Sequence, residues 1–392
     1  MKKDENMREM TEVERKVALS NAISIIRRNL PEYTYECQDA NSIDGLYKPI
    51  NNIEWTTGFW PGEIWLAYLE TDDELFAHVA GIFTESFRDR IIRKVAVDHH
   101  DMGFLYTPSC VAAWKIKKDA HAREAALMAA DQLISRFQEK GQFIQAWGTM
   151  GARDNYRYII DCLLNLPLLY WASEETGDAK YRDIALRHTQ TCCANSFRSD
   201  WSCYHTFFMD PETGEPVRGE TCQGYKADSS WARGQAWAVY GLALAYRHTG
   251  NEKYLEMFEP VSKYFMDKLP EDMIPYWDLI FTSGEEPRDS SSAAIVACGF
   301  LEAADSYEKR GEYEKARHYR SLAKQLMKAL WDKCAVNKDD ASCNGLLRHG
   351  TYSKKSPYNT CTPAGVDECV SWGDYYWMEA LVRLGGGWKS WW

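Results

Sequence analysis

Thr176-Gly177-Asp178-Ala179-Lys180-Tyr181 and Thr249-Gly250-Asn251-Glu252-Lys253-Tyr254 are nearly the same turn written twice. Each interrupts apolar residues at helical spacing, such as Ile159 to Ala172 before the first and Trp231 to Arg247 before the second. Glycine admits φ > 0 and so ends a helix sharply. Four further breakers have the same character: Glu70-Thr71-Asp72-Asp73, Lys117-Lys118-Asp119-Ala120, Arg310-Gly311-Glu312-Tyr313 and Leu384-Gly385-Gly386-Gly387. Counted at positions 72, 119, 177, 250, 311 and 386, they recur about every 63 residues, a period longer than that of common solenoid repeats. Six helical hairpins of that size fit one closed barrel of paired helices, with an open α-solenoid as the competing arrangement.

A second pattern runs ahead of the turns. An aromatic or polar loop opens the first helix of each hairpin. The loops are Trp55-Thr56-Thr57-Gly58-Phe59-Trp60, His99-His100-Asp101-Met102-Gly103-Phe104, Asn155-Tyr156-Arg157-Tyr158-Ile159-Ile160-Asp161, Ser229 to Trp237, Asp289-Ser290-Ser291-Ser292 and Ser371-Trp372-Gly373-Asp374-Tyr375. If these helices form the inner ring, all six starts meet at one mouth. The expected fold is therefore an all-α, six-hairpin (α/α)6 barrel. Its expected extent is a single catalytic domain over residues 1–392, with residues 1–20 set apart as an N-terminal arm.

Composition narrows the function. The 392 residues carry a formal charge of −11, which argues against a phosphate backbone as partner. The N-terminal MKKDENMREM lacks the apolar core of a secretory signal, and no apolar run is long enough to span a bilayer. Twelve cysteines with no C-x-x-C pair read as free thiols in a reducing cytoplasm, so neither a zinc site nor a disulfide framework is expected. Sixteen Trp and 23 Tyr suit a deep core, and a minority of them suit a sugar cleft, where ring faces stack on C–H faces. No P-loop, dinucleotide fingerprint or H-E-x-x-H is present.

Two carboxylates stand at helix starts. Asp161 is flanked by Ile160, Cys162, Leu163 and Leu164. An apolar setting raises a carboxyl pKa and makes it an acid near neutrality; an N-cap or a salt bridge to Arg157 are the alternatives. Asp101, beside His99 and His100, reads as its partner or as an N-cap. Two carboxyls on one cavity are the usual apparatus of glycoside hydrolysis. Adjacent histidines rarely share an ion, so a hydrogen-bonding role beside Asp101 is preferred over metal ligation. Arg233 and Trp237 share a helix face; the arginine reads as a carboxylate clamp or as a surface residue stacked on a core Trp.

H-H-D-M-G-F-L-Y-T-P-S-C from His99, G-x-F-I-Q-A-W-G to Gly148, Y-R-Y-I-I-D-C-L-L-N-L from Tyr156, S-S-W-A-R-G-Q-A-W from Ser229 and W-G-D-Y-Y-W from Trp372 occur in that order. Together they resemble the unsaturated glucuronyl hydrolases of glycoside hydrolase family 88, from about Trp55 to Trp377. The resemblance implies an (α/α)6 barrel that removes a 4,5-unsaturated glucuronic acid from the non-reducing end of lyase-generated glycosaminoglycan disaccharides (chondroitin, hyaluronan or heparin derived). It implies no cofactor and no metal. It implies Asp161 as general acid and base and Asp101 as its catalytic partner. Trp55, His100, Trp147, His205, Gln223, Trp231, Arg233 and Trp237 fall at the family's substrate-binding positions. A Ser-x-x-Ser-x-Lys pattern of members accepting sulfated disaccharides is matched by Ser353 and Ser356, but Tyr358 stands where lysine is expected. Lys354 or Lys355 supplying that cation and a solvated loop are both open. Hydrolases of unsaturated rhamnogalacturonides and a sugar epimerase with paired histidine bases (His100 and His205) are the alternatives. The expectation is a bacterial, cytoplasmic enzyme that binds neither nucleic acid nor membrane, its oligomeric state open.

Overall fold

A computed structural model of the chain describes residues 8–392. At four of the six turns the repeated motif has one physical form. A residue in the left-handed region ends one helix, and the side chain of the next residue caps the helix that follows. Asp72, Lys118, Gly177 and Gly250 take φ of 53°, 58°, 75° and 69°. Asp73, Asp119, Asp178 and Asn251 then accept hydrogen bonds from backbone N–H groups two residues on, at 2.9–3.1 Å. Gly311 (φ 78°) closes the fifth hairpin and Gly386 (φ 81°) ends the sixth inner helix. In the second hairpin the left-handed residue is Lys118, one position before the aspartate counted from sequence, because Asp119 is needed as the cap.

The inner ring consists of α2 (Phe59–Thr71), α4–α5 (Met102–Tyr106 and Ala112–Lys117, joined by a π-turn at Thr107–Val111 where Pro108 lacks an N–H), α7 (Pro167–Thr176), α9 (Ala232–Thr249), α11 (Ser290–Lys309) and α13 (Ser371–Gly385). A 3-10 turn at Ile160–Leu164 precedes α7. Each inner helix packs on the next, and α13 packs on α2, so the ring closes as a barrel and not as an open solenoid. The outer ring is α1 (Glu12–Asn29), α3 (Glu74–Ile92), α6 (Ala120–Ile134), α8 (Ala179–Asn195), α10 (Lys253–Asp267) and α12 (Tyr313–Lys333). The fold is the all-α six-hairpin barrel.

One contiguous apolar core runs from Met10 to Trp392. The stretch 1–20 does not behave as an arm. Residues 1–7 lie outside those described, and from Glu12 onward the chain is α1, fixed by a Thr11/Glu14 capping box and packed on α13. Among the described residues no helix is long and apolar enough to cross a membrane. All twelve cysteines are unpaired, and only Cys222 is not buried.

Among the described residues there are nine short strands, all paired antiparallel. They are β1 (Cys37–Gln38) with β2 (Pro49–Ile50), β3 (Phe137–Gln138) with β4 (Phe143–Ile144), a sheet of β5 (Arg157–Ile159), β6 (Thr206–Met209) and β7 (Pro216–Glu220), and β8 (Gly350–Ser353) with β9 (Ala364–Glu368). They hold the loops that precede the inner helices. One close contact sets the catalytic end: a Cβ on Gly103 of α4 would lie 2.3 Å from the Cα of Asn165. Only glycine lets α4 approach the 160–164 turn so closely.

Candidate active site

A cavity of about 680 Å³ opens at the mouth. Asp101, the residue before α4, and Asp161, the second residue of the 3-10 turn, both line it. Neither side chain caps its helix, and no ion pair joins Asp161 to Arg157 or to any other described residue. The structural alternatives left open by sequence therefore fall away for both carboxyls.

Their electrostatics diverge. Asp161 sits at the edge of an apolar turn, and its Oδ1 is buried with no hydrogen-bond partner. Burial and the charge of Asp101 push its carboxyl up to about 7, against a lowering influence from Arg233. Burial also pushes Asp101 upward, but His100 and His99 and a hydrogen bond from Asn165 more than offset it, and its carboxyl ends below the ordinary value. His100 Nε2 and His99 Nδ1 approach the two Asp101 oxygens at 3.2 Å each. The two carboxyls are thus set for opposite protonation states at neutral pH.

His100 and His205 are neutral. Burial pulls His100 down to about 4 and His205 down to about 3. His205 Nδ1 accepts from the N–H groups of Cys222 (3.0 Å) and Gln223 (3.2 Å), so Nε2 carries the proton. These bonds also fix the loop that carries Gln223 on the cavity wall, where its amide donates to Tyr352 O at 3.3 Å.

Aromatic walls complete the hollow. Trp55 lines it, stacks on Trp372 at 5.3 Å and donates to the Tyr352 hydroxyl at 2.9 Å. Trp147, 36% exposed, stands at the rim with its ring edge-to-face on His100. Ser353 lines the cavity from the β8–β9 hairpin, its hydroxyl donating to Thr362 O at 2.6 Å. Among the described residues no group of three or more His, Cys, Asp or Glu side chains is placed to hold a metal ion.

Four expected substrate contacts are not on the cavity wall. Trp231 is buried behind it, its ring against His205 at 4.3 Å. Arg233, 1% exposed, lies between the Trp231 and Trp372 rings and donates to Thr351 O (2.7 Å) and Tyr352 O (2.8 Å). These two bonds hold the β8 wall in place, while its Nε is buried without a partner. Trp237 is fully buried between Phe104 and Tyr376, as a core residue. The Ser356 hydroxyl donates to Tyr225 O (2.6 Å) and accepts from the Tyr358 and Asn359 N–H groups, so it shapes its own loop. Lys354 is ion-paired to Glu286 at 2.5 Å and Lys355 donates to Asn359 O at 2.6 Å. Neither supplies a free cation to the cavity.

Sequence reasoning missed Tyr352 and Asn165. Tyr352 gives no local signal. Asn165 was detectable as a lone polar residue in a Leu-rich run, one turn beyond Asp161. It is fully buried, accepts from Phe104 N (2.8 Å) and donates to Asp161 O (3.3 Å).

A protonated carboxyl beside an ionised one, at the aromatic mouth of an (α/α)6 barrel, defines an acid/base enzyme acting on sugars. Comparison with known proteins is more specific. Residues 25–372 match the model of Glycosyl Hydrolase Family 88, and the chain belongs to that family of glycoside hydrolases. It is 45% identical over 380 residues to the unsaturated chondroitin disaccharide hydrolase of Streptococcus pyogenes serotype M1, covering 96% of this chain and 92% of the relative. The crystal structure of unsaturated glucuronyl hydrolase from Streptococcus agalactiae superposes with a TM-score of 0.94 at 43% identity, covering 100% of this chain and 96% of that one. A variant of the S. agalactiae enzyme complexed with dGlcA-GalNAc6S gives a TM-score of 0.86 at 39% identity, with the same coverage.

Proposed function

We propose that this enzyme removes 4,5-unsaturated glucuronic acid from the non-reducing end of lyase-generated glycosaminoglycan disaccharides. The single observation that carries the reading is the Asp161 carboxyl, held at about 7 beside an Asp101 held ionised. An unsaturated uronate is a vinyl ether, so its double bond is itself basic. Asp161 delivers its proton to C4, and the positive charge that develops at C5 and the ring oxygen is met by water. The same carboxylate, now ionised, takes a proton from that water. The product is a hemiketal that opens and expels the second sugar. One group thus gives and recovers one proton, and the site needs no second acid.

Asp101 stays ionised throughout. It keeps the Asp161 proton in place and accepts from ring hydroxyls. Trp55 and Trp147 offer ring faces to the sugar, and His100, His205 and Gln223 offer donors. The curated relative's name and the dGlcA-GalNAc6S complex of the S. agalactiae variant support this substrate class over unsaturated rhamnogalacturonides. An epimerase would need a histidine lone pair facing the sugar on each side. His205 spends its lone pair on two backbone N–H groups, which leaves the epimerase without its second base.

Twelve unpaired cysteines support a reducing, cytoplasmic setting, and the single core supports one catalytic domain. The test is direct: unsaturated chondroitin disaccharide incubated with the enzyme should lose the ultraviolet absorbance of its conjugated double bond. Unchanged absorbance would overturn the reading.

A further inference from the structure

We infer that Arg157 is the residue that reads a sulfate ester on the sugar beyond the scissile bond, an inference that rests on the function proposed above. Arg157 begins β5 and pairs across the sheet with Phe208. Ile159, two residues on and therefore on the same face of the strand, lines the cavity, and Asp161 follows it to the cavity floor. Arg157 does not itself line the cavity; it stands one step before Ile159 on the strand and lies against Trp147, which lines the rim. Its guanidinium lies over the Trp147 ring at 4.9 Å and the Phe208 ring at 5.0 Å. Rings on its faces leave the fork of N–H donors in its plane free, the geometry that suits a sulfate or phosphate oxygen pair.

No counter-ion uses that fork. The side chain of Arg157 makes no hydrogen bond or ion pair with any described residue, and its Nε is buried without a partner. The charges of Asp154 and Glu220 are felt at Arg157 but form no ion pair with it. Four other cations near the mouth each have a partner for at least one nitrogen. Arg218, on the far side of Phe208, is paired with Glu220 at 2.8 Å, and Lys226 with Asp228 at 3.1 Å. Lys354 holds Glu286, and Arg233 holds the β8 carbonyls.

The position favours an anion on the second sugar over the uronate carboxylate. Arg157 precedes Ile159 and Asp161 on the strand that leads into the cavity, and its guanidinium lies against Trp147 at the rim. An anion at Arg157 therefore sits on the rim side of the acid that protonates C4. A desolvated guanidinium without a partner is costly to bury, and a sulfate would satisfy it. Tyr358, at the position where a lysine was expected, is 63% exposed and carries no charge, so the task falls to Arg157.

The experiment compares kcat/KM on unsulfated and monosulfated unsaturated chondroitin disaccharides, for the wild-type enzyme and for Arg157→Gln and Arg157→Lys. Arg157→Gln should lower the ratio of sulfated to unsulfated kcat/KM by about tenfold, the size of one charge-assisted hydrogen bond, and Arg157→Lys by less. The wild-type ratio should also fall as salt is raised, which checks the same charge without a mutation. Equal losses on both disaccharides, or a ratio insensitive to both substitutions and to salt, would overturn the sulfate assignment while leaving the function standing. Failure of the wild-type enzyme to turn over either disaccharide would overturn the function, and the sulfate assignment with it.

Discussion

Asn165 ties Asp101 to Asp161. Its amide donates to the Asp161 carbonyl, its oxygen accepts from Phe104 three residues beyond Asp101, and its side chain helps hold the Asp101 carboxyl below the ordinary value. The two carboxyls come from hairpins 60 residues apart in sequence, and this one buried amide fixes them on the same cavity. Their division of labour, one ionised and one protonated, depends on that bridge as well as on burial.

Asn165→Leu should therefore lower kcat far more than it raises KM. It leaves the Phe104 N–H unpaired, at about 1–3 kcal/mol of stability. It also removes a bond that favours ionised Asp101, so the acid-side limb of the pH–rate profile should move upward. A KM effect alone, with an unshifted profile, would show that Asn165 only packs.

Gly103→Ala should mimic that loss by steric means. The added methyl meets the Asn165 backbone at 2.3–2.8 Å, and backbone cannot swing aside as a side-chain end can. The expected cost is about 1–3 kcal/mol in thermal or denaturant unfolding, with activity falling further than stability does.

The pH dependence follows from the two carboxyls and His100. Asp161 must be protonated to begin, so the rate should fall by about tenfold per pH unit above about 7. Asp101 titrates below the ordinary carboxylate range and His100 near 4, so the rate should hold down to about that pH and then drop. A flat rate from about pH 4 to 9 would contradict the assignment of Asp161 as acid.

Stability should fall over the same rise in pH. A carboxyl whose folded pKa lies above its unfolded one stabilises the protein while protonated, and this contribution is lost as pH rises from about 4 through about 7. Above that window ionised Asp161 is a burden, so Asp161→Asn should raise Tm at alkaline pH, by on the order of 1–3 °C, and change it little in acid. Differential scanning calorimetry at both ends of the range would show this. A Tm lowered at alkaline pH would mean that the carboxylate is better solvated than the burial of Oδ1 indicates.

Much of this was legible in the sequence because it is local. A left-handed residue followed by an Asx cap is written in two adjacent positions, and that pair marks four of the six hairpins. The apolar flank of Asp161 likewise announces its raised pKa. What failed was long-range. Arg233 and Trp237 share a helix face as expected, but the partners of Arg233 are carbonyls more than a hundred residues away on β8, and these decide that it supports the wall. The Ser353 to Tyr358 stretch reads as a ligand loop, yet Asn359 and Tyr225 draw Ser356 inward. Arg157 was read only as a counter-ion for Asp161, since nothing local reveals the two rings that hold it at the rim.

The central claim is that Asp161 gives and recovers the proton. Turnover of unsaturated chondroitin disaccharide by Asp161→Asn, with the fold verified by circular dichroism and Tm, tests it most directly. The account predicts a loss of at least about 10³-fold in kcat with the substrate still bound. Turnover within about tenfold of the wild type would place the acid elsewhere and contradict it.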